Sequence, residues 1–327
     1  MEQATISVGF LLFHGFPMAC LTSMIEPLRA ANEISNTRTF AWRLLSEEGG
    51  TLTASAHVDF ETDALGAPGE DYIFVLSSPT ATFRTSATPA HLRAFHRHGG
   101  TLGAVSGGVF PLVKAQVVGA HRIAVHWCYR AAFDAQFPDL AASDQVLEIA
   151  DTVMTAAGAA AAFDLALHLI EDRLGPAIAA EVACWFQHPM MRRGDVVQAI
   201  PVAEAATALP PLAARAVALM TADMANPITV GQAAARLSIS PRHMERAFKA
   251  ATGLGPTRYF RKIRMEAARQ IVLYTNDPIA KIAGQVGYGS TQTFAKHYED
   301  AFGMTPAQDR KRINLYRVKG NLPVPSL

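Results

Sequence analysis

Ser106 and the two glycines after it are the first residues whose types and spacing could do chemistry. In TLGAVSGGVFPLVKA, residues 101–115, an apolar run stops at Ser106, meets Gly107 and Gly108, and restarts with the spacing of a helix. A strand that turns sharply into a helix presents one side chain at the turn, as in hydrolases with a serine nucleophile. The stretch therefore raises the question of whether Ser106 attacks a substrate.

The surrounding residues argue against a reaction at Ser106. A serine hydroxyl is a weak nucleophile at neutral pH unless an adjacent base takes its proton. His126 follows in the chain, but no convincing acid lies between the two, and AVSGG lacks the first glycine of the G-x-S-x-G elbow. We therefore expect no catalytic residue and no enzyme. The alternative, a Ser106-dependent amidase or hydrolase, stays open at this point.

The elements that must position Ser106 alternate between strands and helices in the first half of the chain. Apolar runs predict strands at 6–13, 40–46, 72–78, 101–106, 122–127 and 145–151. Helical spacing predicts helices at 19–33, 88–98, 108–117, 129–137, 157–173 and 177–187. Such alternation is typical of a doubly wound, flavodoxin-like α/β domain. Because residues 188–211 lose the period and contain several prolines, we expect domains at 1–190 and 212–320 and a linker at 191–211.

The two parts of the chain carry opposite charge. Residues 228–320 hold 16 lysines and arginines against 6 acidic side chains, a net charge of +10, whereas residues 1–227 have a net charge of −9. A strongly basic module on an acidic body is the pattern expected of a protein that binds a polyanion.

The basic module contains an internal repeat at an offset of 50 residues. The matched pairs are Ser240 and Ser290, Phe248 and Tyr298, Gly253 and Gly303, and Pro256 and Pro306. In each copy a short helix, at 229–237 or 278–287, precedes a tight turn and a second helix that begins at the serine. This is a helix-turn-helix, present twice, in an all-α domain. We expect four small residues to let the helices cross closely: Ala233, Ala234, Ala283 and Gly284.

The second helix of each unit is expected to face DNA. Met244, Ala247, Phe248, Phe294 and Tyr298 should pack inward. The side chains left on the outer face are Arg242, Glu245, Arg246 and Lys249 in the first unit and Thr291, Gln292, Lys296 and His297 in the second. Arginine can bond bidentately to guanine and glutamine to adenine, whereas lysine and threonine anchor phosphates.

The helix that joins the two units fits the spacing of DNA grooves. Its sequence, PTRYFRKIRMEAARQIVLYT, would span about 27 to 30 Å at roughly 1.5 Å per residue. That length is close to one turn of DNA, roughly 34 Å. Two recognition helices so separated could enter successive major grooves on one face of the duplex.

The second unit, IAKIAGQVGYGSTQTFAKHYEDAFGMTPAQDRKR, resembles the signature of the AraC/XylS transcriptional regulators, and the first unit fits the same template. The resemblance covers residues 212–315 and implies a DNA-binding regulator. It places five residues at base-contacting positions: Arg242, Glu245, Arg246, Gln292 and Lys296. The first unit departs from the family in having Pro241 and Arg242 early in its recognition helix, so its base preference cannot be transferred.

Residues 5–190 resemble the amidotransferase-like (PfpI-type) domain that one subfamily of these regulators carries. The matching stretches are GFLLFHGFPMACLTSMIEPLRAAN, FAWRLLSEEGGTLTAS, GAVSGG, HRIAVHW and EIADTVMTAAGAAAAFDLALHLIED. In enzymes of that superfamily a cysteine stands where this chain has Ser106. The resemblance implies that Glu26 and His126 are the carboxylate and the histidine that support it. Because serine cannot supply the thiolate, the resemblance does not imply catalysis here.

The same turn could bind a metabolite without reacting. Ser106 with the amides of Gly107 and Gly108 could hold a carboxylate at the edge where open α/β sheets bind ligands. Glu26 could meet a cationic group, against an aromatic face supplied by one of Trp127, Phe13, Phe16 or Phe83. A betaine, carnitine or amino acid would fit, and related regulators respond to quaternary amines or arginine. The alternatives are that Glu26 pairs with Arg29, that the aromatic rings are core residues, and that His126 is structural.

The sequence as a whole predicts a cytoplasmic, ligand-responsive transcription regulator, an activator if it follows the family. Its expected partners are promoter DNA, a small inducer, RNA polymerase and a second copy of the chain, with no cofactor, no metal and no membrane. The first 20 residues lack a basic segment and a long apolar run, and Cys20, Cys128 and Cys184 show no zinc or disulfide spacing. A DNA-bending scaffold that binds no small molecule is a further alternative.

Overall fold

The computed structural model describes residues 5–66, 69–188, 191–192, 194–198 and 209–314. Contacts divide the chain into an N-terminal unit that runs to Gln198 and a C-terminal unit that begins at Ala199. Residues 199–208 of the predicted linker and the end of the predicted DNA-binding domain, residues 315–320, lie outside the described residues. Within the described residues, no helix combines the length and the apolar character needed to cross a membrane.

The N-terminal unit alternates strands and helices, as predicted. The strands are β1 (Ile6–Leu12), β2 (Phe40–Ser46), β3 (Gly50–Thr53), β4 (Asp59–Ala64), β5 (Tyr72–Ser77), β6 (Thr101–Ser106), β7 (Ile123–Ala124), β8 (Ala142–Ser143), β9 (Leu147–Ile149) and β10 (Val153–Ala156). The helices are α1 (Met18–Ser35), α2 (Ala87–Arg97), α3 (Val109–Lys114), α4 (Arg130–Gln136), α5 (Ala159–Leu174) and α6 (Pro176–Trp185).

The main sheet has the order β3-β4-β2-β1-β5-β6-β10-β9. Strands β2, β1, β5, β6 and β10 run parallel, so their carboxyl ends meet at one edge. The order reverses at β1, which lies between β2 and β5, and this reversal marks the crevice where open α/β sheets bind ligands. The predicted doubly wound, flavodoxin-like fold is confirmed.

The central strands β1, β5 and β6 are buried on both faces of this sheet, which is why they read as continuous apolar runs. Phe10 and Leu12 belong to the core cluster that includes residues of α1 and α5. Leu11 points to the opposite face because successive strand residues alternate, and it is also fully buried.

Three predictions for the N-terminal unit were wrong in detail. The run at 122–127 forms only the short β7, because the chain turns into a 3₁₀ helix at Trp127–Tyr129. The run at 145–151 contains only β9, which pairs antiparallel with β10, a strand not predicted because VMTA merges into the alanine-rich start of α5. The hairpin of β3 and β4 was also missed, since most of its side chains are exposed and polar.

The C-terminal unit is entirely helical among the described residues. Its helices are α7 (Pro211–Thr221), α8 (Val230–Arg236), α9 (Pro241–Thr252), α10 (Pro256–Tyr274), α11 (Ile279–Gln285), α12 (Thr291–Phe302) and α13 (Pro306–Asn314). Helices α8 and α9 form the first helix-turn-helix and α11 and α12 the second, with α10 as the predicted connecting helix.

The internal repeat is confirmed down to the helix caps. Ser240 and Ser290 each accept a hydrogen bond from the backbone N–H three residues later, at 3.2 and 3.4 Å. Gly253 and Gly303 end α9 and α12 in the left-handed conformation, with φ of 71° and 70°. The two helices also have the same pattern of buried and exposed residues along 241–250 and 291–300.

Gly284, one of the four small residues expected at a helix crossing, does not lie at a close contact. Ala233, Ala234 and Ala283 are buried, but Gly284 is exposed, and a Cβ added to it would meet no atom within 4 Å. The close approach is made by Gly287 instead, which has φ of 74° and lies against the carbonyl of Met224 and the ring of Pro227.

Candidate ligand pocket and nucleic-acid interface

Ser106 lies at the carboxyl end of β6, in a strained turn. Its φ is 56°, a conformation that costs a residue with a side chain roughly 1–2 kcal/mol. The residue is 6% exposed and pairs with Ser77 of β5 across the sheet. The serine is therefore held at the elbow, but it is nearly closed off from solvent.

The two glycines after Ser106 are required by sterics. A Cβ on Gly108 would lie 1.9 Å from the carbonyl oxygen of Val75, and one on Gly107 would lie 2.4 Å from that of Ser77. Both clashes are with backbone, so no side-chain rearrangement could relieve them. The elbow can pack against β5 only because both positions lack a side chain.

The turn offers fewer free amides than the sequence suggested. The N–H of Gly108 donates to the carbonyl of Val105 at 3.0 Å, so it is already used. Helix α3 has only six residues, which leaves it little dipole with which to attract an anion. A carboxylate at this turn would depend on Ser106 and Gly107 rather than on Gly108.

His126 lies at the same edge of the sheet as the elbow. A Cβ on Gly158, which follows β10, would come within 3.1 Å of the His126 ring. Because β10 pairs with β6 through Ala156 and Val105, Gly158 and Ser106 leave neighbouring strands at the same edge. Ser106 and His126 thus lie at the same edge of the sheet, and the roles of Ser106, His126 and Trp127 as ligand contacts stay predictions.

The hydrogen bonding of His126 does not suit a general base. Its Nδ1 accepts the N–H of Cys128 at 3.3 Å, and burial lowers the pKa of the ring, so it is neutral at pH 7. A neutral imidazole that accepts at Nδ1 carries its proton on Nε2 and cannot take a second proton there from Ser106. A catalytic triad has the opposite arrangement, in which Nδ1–H donates to a carboxylate.

Sequence reasoning missed Gln198, which fixes the backbone on both sides of His126. Its side-chain amide accepts from the N–H of Trp127 at 3.0 Å and donates to the carbonyl of Val125 at 2.9 Å. A third bond joins it to the carbonyl of Gln145 at 3.1 Å. No local pattern marks Gln198, because its partners lie more than 50 residues away. The residue lies in the segment predicted as linker.

Glu26 makes the ion pair that was the alternative to ligand binding. Its carboxylate accepts from Nε of Arg29 at 2.9 Å, and Arg29 also bonds Glu33. Both partners are about half exposed. A cationic ligand would have to compete with Arg29 for Glu26, whose ligand role stays a proposal.

The aromatic residues divide into core and crevice. Phe16 is fully buried and packs edge-on against Phe60 at 5.4 Å between ring centroids. Phe13 follows β1 and meets Phe83, from the loop after β5, at 5.8 Å. This pair spans the point where the strand order reverses, and Phe83 is partly exposed. Phe13 and Phe83 therefore fit an aromatic wall better than Phe16 does.

In the first recognition helix, α9, the inward and outward faces agree with the prediction except at Glu245, which was expected on the outer face. Met244 and Phe248 are buried, while Arg242, Arg246 and Lys249 are exposed. Glu245 is partly buried; it lies 3.6 Å from Nζ of Lys249 and packs against Gly255.

The second recognition helix, α12, presents Thr291, Gln292 and Lys296 to solvent. His297 is partly buried, and its Nδ1 is hydrogen-bonded to the hydroxyl of Tyr288 at 2.9 Å. One ring nitrogen is thereby engaged within the module. The DNA contacts of both helices stay predictions.

A buried cluster of ion pairs and hydrogen bonds stabilises the second unit and was not predicted from the sequence. Asp309 accepts from Nε of Arg269 at 2.8 Å and from the hydroxyl of Tyr298 at 2.9 Å. Arg310 donates to the carbonyl of Val272 in α10 and to that of Asp277, in the segment after α10. The 50-residue repeat could have indicated this cluster, because the charged residues Asp309 and Arg310 stand where the first unit has the aromatic residues Tyr259 and Phe260.

No group of three or more His, Cys, Asp or Glu side chains in the described part of the chain is arranged to hold a metal ion. In the described part of the chain, Cys20, Cys128 and Cys184 form no disulfide.

Comparison with known proteins agrees with this architecture. A family model described as a helix-turn-helix domain matches residues 233–312. GbdR, an HTH-type transcriptional regulator of Pseudomonas aeruginosa, is 32% identical over 324 residues, which cover 98% of this chain and 88% of GbdR. CdhR, an HTH-type transcriptional regulator of the same organism, is 29% identical over 94% of this chain and 92% of its own length.

The chain belongs to the AraC-type transcriptional regulators. A solved AraC family regulator from Pseudomonas putida has a TM-score of 0.51 with this regulator, at 22% identity, over 55% of this chain and 99% of its own. The regulator combines a doubly wound α/β domain with a DNA-binding module of two helix-turn-helix units, as the sequence predicted.

Proposed function

We propose that this regulator senses a small zwitterionic metabolite in its α/β domain and that the ligand controls DNA binding by the helical module. The observation that carries the proposal is a serine elbow at the ligand-binding edge of the sheet, in a chain that also holds two helix-turn-helix units. The proposed site comprises Ser106, Gly107, His126 and Trp127, with Glu26 as the candidate for a cationic group. Betaines, carnitine and amino acids are the compounds to test first.

The α/β domain is proposed to bind without catalysis. The elbow holds a hydroxyl instead of a thiol, and His126 accepts a backbone N–H at Nδ1, which leaves its proton on Nε2. Neither group can then activate the other as nucleophile and base. What the strained turn supplies is a fixed hydroxyl at a crevice.

Gln198 supports a route from this site to the rest of the chain. Its amide holds the backbone on both sides of His126, and it is the last residue of the N-terminal unit. A ligand that bound more tightly to one arrangement of the His126 loop would also favour one arrangement of Gln198. We propose that this is how occupancy alters the dimer on promoter DNA, and that the bound regulator recruits RNA polymerase in the cytoplasm.

The test is a thermal-shift screen of the full-length protein with glycine betaine, carnitine and L-arginine, followed by DNA binding with and without each compound. A true ligand raises the melting temperature according to ln(1 + [L]/Kd). Ser106→Ala should weaken this shift while leaving unliganded DNA binding intact. No shift with any compound, and DNA binding that no compound changes, would reject the sensing role.

The enzyme alternative is tested with the same variant. Hydrolysis of an activated ester or amide by the wild type, abolished in Ser106→Ala while regulation survives, would make the domain a hydrolase.

A further inference from the structure

A second feature of the helical module is a groove between the connecting helix and the second recognition helix. It lies between the first turns of α10 and the flank of α12 and has a volume of about 400 Å³. Its charged and titratable lining is Arg258, Arg261, Lys262 and Glu266 from α10 and His297 and Asp300 from α12. The cations of α10 lie outside both recognition helices.

Two of these cations are available to bind an anion. Arg258 and Arg261 are exposed, and among the described residues neither guanidinium is found in an ion pair or hydrogen bond. Lys262 makes only a long contact, 3.9 Å, with the carboxylate of Glu266. By contrast, Arg264 on the next turn is fixed to the carbonyls of Val286 and Gly287 at 2.6 Å and stacks on Tyr288.

The electrostatic field in the groove is positive. Partial burial lowers the pKa of His297, and Arg261, Arg264 and Lys296 lower it further, against the opposing effect of Asp300. Three cations line the groove, Arg258, Arg261 and Lys262, against two carboxylates, Glu266 and Asp300, and this excess of positive charge favours the entry of an anion.

The groove flanks the surface that is expected to read bases. Asp300 follows Lys296 by one helical turn, and His297 is the next residue around the helix from Lys296. The hydrogen bond from His297 to Tyr288 holds this wall in place. An anion in the groove would therefore lie beside the major groove entered by α12, where the DNA strand runs.

The internal repeat supplies independent support. Arg261 and Lys262 are matched, 50 residues later, by Lys311 and Arg312, and all four are exposed. Two adjacent cations at the same place after each recognition helix suit contacts with a backbone that passes both units alike.

We propose that this groove binds a phosphate of the DNA backbone, held by Arg258 and Arg261, and so fixes the register of the second recognition helix on the duplex. Such contacts increase the affinity for DNA of any sequence and do not contribute to sequence preference. The proposal rests on the family's DNA binding and does not depend on which metabolite the α/β domain binds.

The test measures how salt affects binding of the full-length protein to a labelled duplex of about 40 random base pairs. Loss of one phosphate contact should reduce the slope of log K against log [KCl] by about 0.9. Arg261→Gln and Arg258→Gln should each show this smaller slope and weaker binding to every duplex tried. Arg215→Gln, on exposed Arg215 of α7 outside both helix-turn-helix units, is the matched control and should keep the wild-type slope.

Wild-type slopes in both groove variants would overturn the proposal, as would equal changes in the Arg215→Gln control. A thermal shift with inorganic phosphate, together with unchanged slopes on DNA, would show a site for free phosphate and would also overturn it. A wild-type protein that bound no duplex would contradict the DNA-binding function as well, so the two failures are distinguishable. Unchanged melting temperatures in the variants would exclude unfolding as the cause.

Discussion

The elbow shows how much of this protein is decided at the scale of single residues. The strand β6, Ser106 and the glycines after it were predicted from sequence and are found as predicted. The detail that bears most on their chemistry is the hydrogen bond that Nδ1 of His126 accepts from the N–H of Cys128, because it supports our proposal that the elbow binds a ligand without reacting.

The tight contact at Gly108 gives the first prediction. Gly108→Ala would force a methyl group to within 1.9 Å of the Val75 carbonyl, so we expect it to lower the free energy of unfolding by about 3 kcal/mol or more. Gly69→Ala is the control, because a Cβ there meets nothing within 4 Å. Urea denaturation of both variants checks this, and equal stabilities would mean that the elbow is not packed as described.

Cys20 and Cys184 should differ sharply in their reactivity toward thiol reagents. Burial raises the pKa of Cys20 to about 12 from its ordinary 9.0, whereas Cys184 is exposed. In folded protein at pH 8, a thiol reagent should label Cys184 rapidly and Cys20 only on unfolding. Cys184→Ser should remove the fast phase, and Cys20→Ser should not.

The same thiol affects stability at high pH. In the unfolded chain Cys20 ionises near pH 9, while in the folded protein it stays protonated until about pH 12. The stability that it contributes is therefore present below pH 9 and is lost as the pH rises toward 12.

At the scale of elements, the two helix-turn-helix units share one framework and differ in their chemistry. Serine caps, left-handed glycines and the burial pattern are the same in α9 and α12. The supports differ, since Tyr259 and Phe260 of the first unit correspond to Asp309 and Arg310 in the second. The repeat therefore preserves how each recognition helix is capped and packed, while the residues that support it differ.

The glycines of the second unit provide a matched pair for testing this framework. Gly284→Ala should stabilise the protein by about 0.5–1 kcal/mol, because the residue is helical, exposed and free of clashes. Gly287→Ala should destabilise it, since φ is 74° and a Cβ would lie 2.6 Å from the Met224 carbonyl. Thermal unfolding of both variants tests the assignment, and a stabilising Gly287→Ala would contradict it.

At the scale of the whole molecule, a net charge of +10 in residues 228–320 and −9 in residues 1–227 separates the DNA-binding part from the part that we propose to be the sensor. Opposite charges on the two parts keep the total near zero while leaving the helical module strongly basic. This division suits a protein with two kinds of partner, a polyanion and a small molecule.

We expect the regulator to be a dimer through its α/β domain, so that two modules engage two half-sites. Light scattering of the full-length protein at micromolar concentration should give twice the chain mass of 35.1 kDa. A monomer across the whole concentration range would contradict the prediction.

Local physics explains what could be predicted from the sequence by itself. Strand periods, serine caps and the 50-residue repeat depend on neighbouring residues or on simple spacing along the chain. The doubly wound domain, the elbow and both helix-turn-helix units could therefore be predicted from these patterns alone. The errors occurred where local signals compete, as at β10, whose apolar residues run into the start of α5.

Only the tertiary structure decided which distant groups meet. Three features join residues from separate elements. They are the hydrogen bonds of Gln198 to the backbone on both sides of His126, the cluster of Asp309 with Arg269 and Tyr298, and the groove between Arg261 and His297. Such pairings depend on how strands and helices are connected in space, and no periodic pattern along the chain encodes them. For the same reason, the composition of the chain could indicate a polyanion as partner, whereas the residues proposed to hold its phosphates were found only in the folded module.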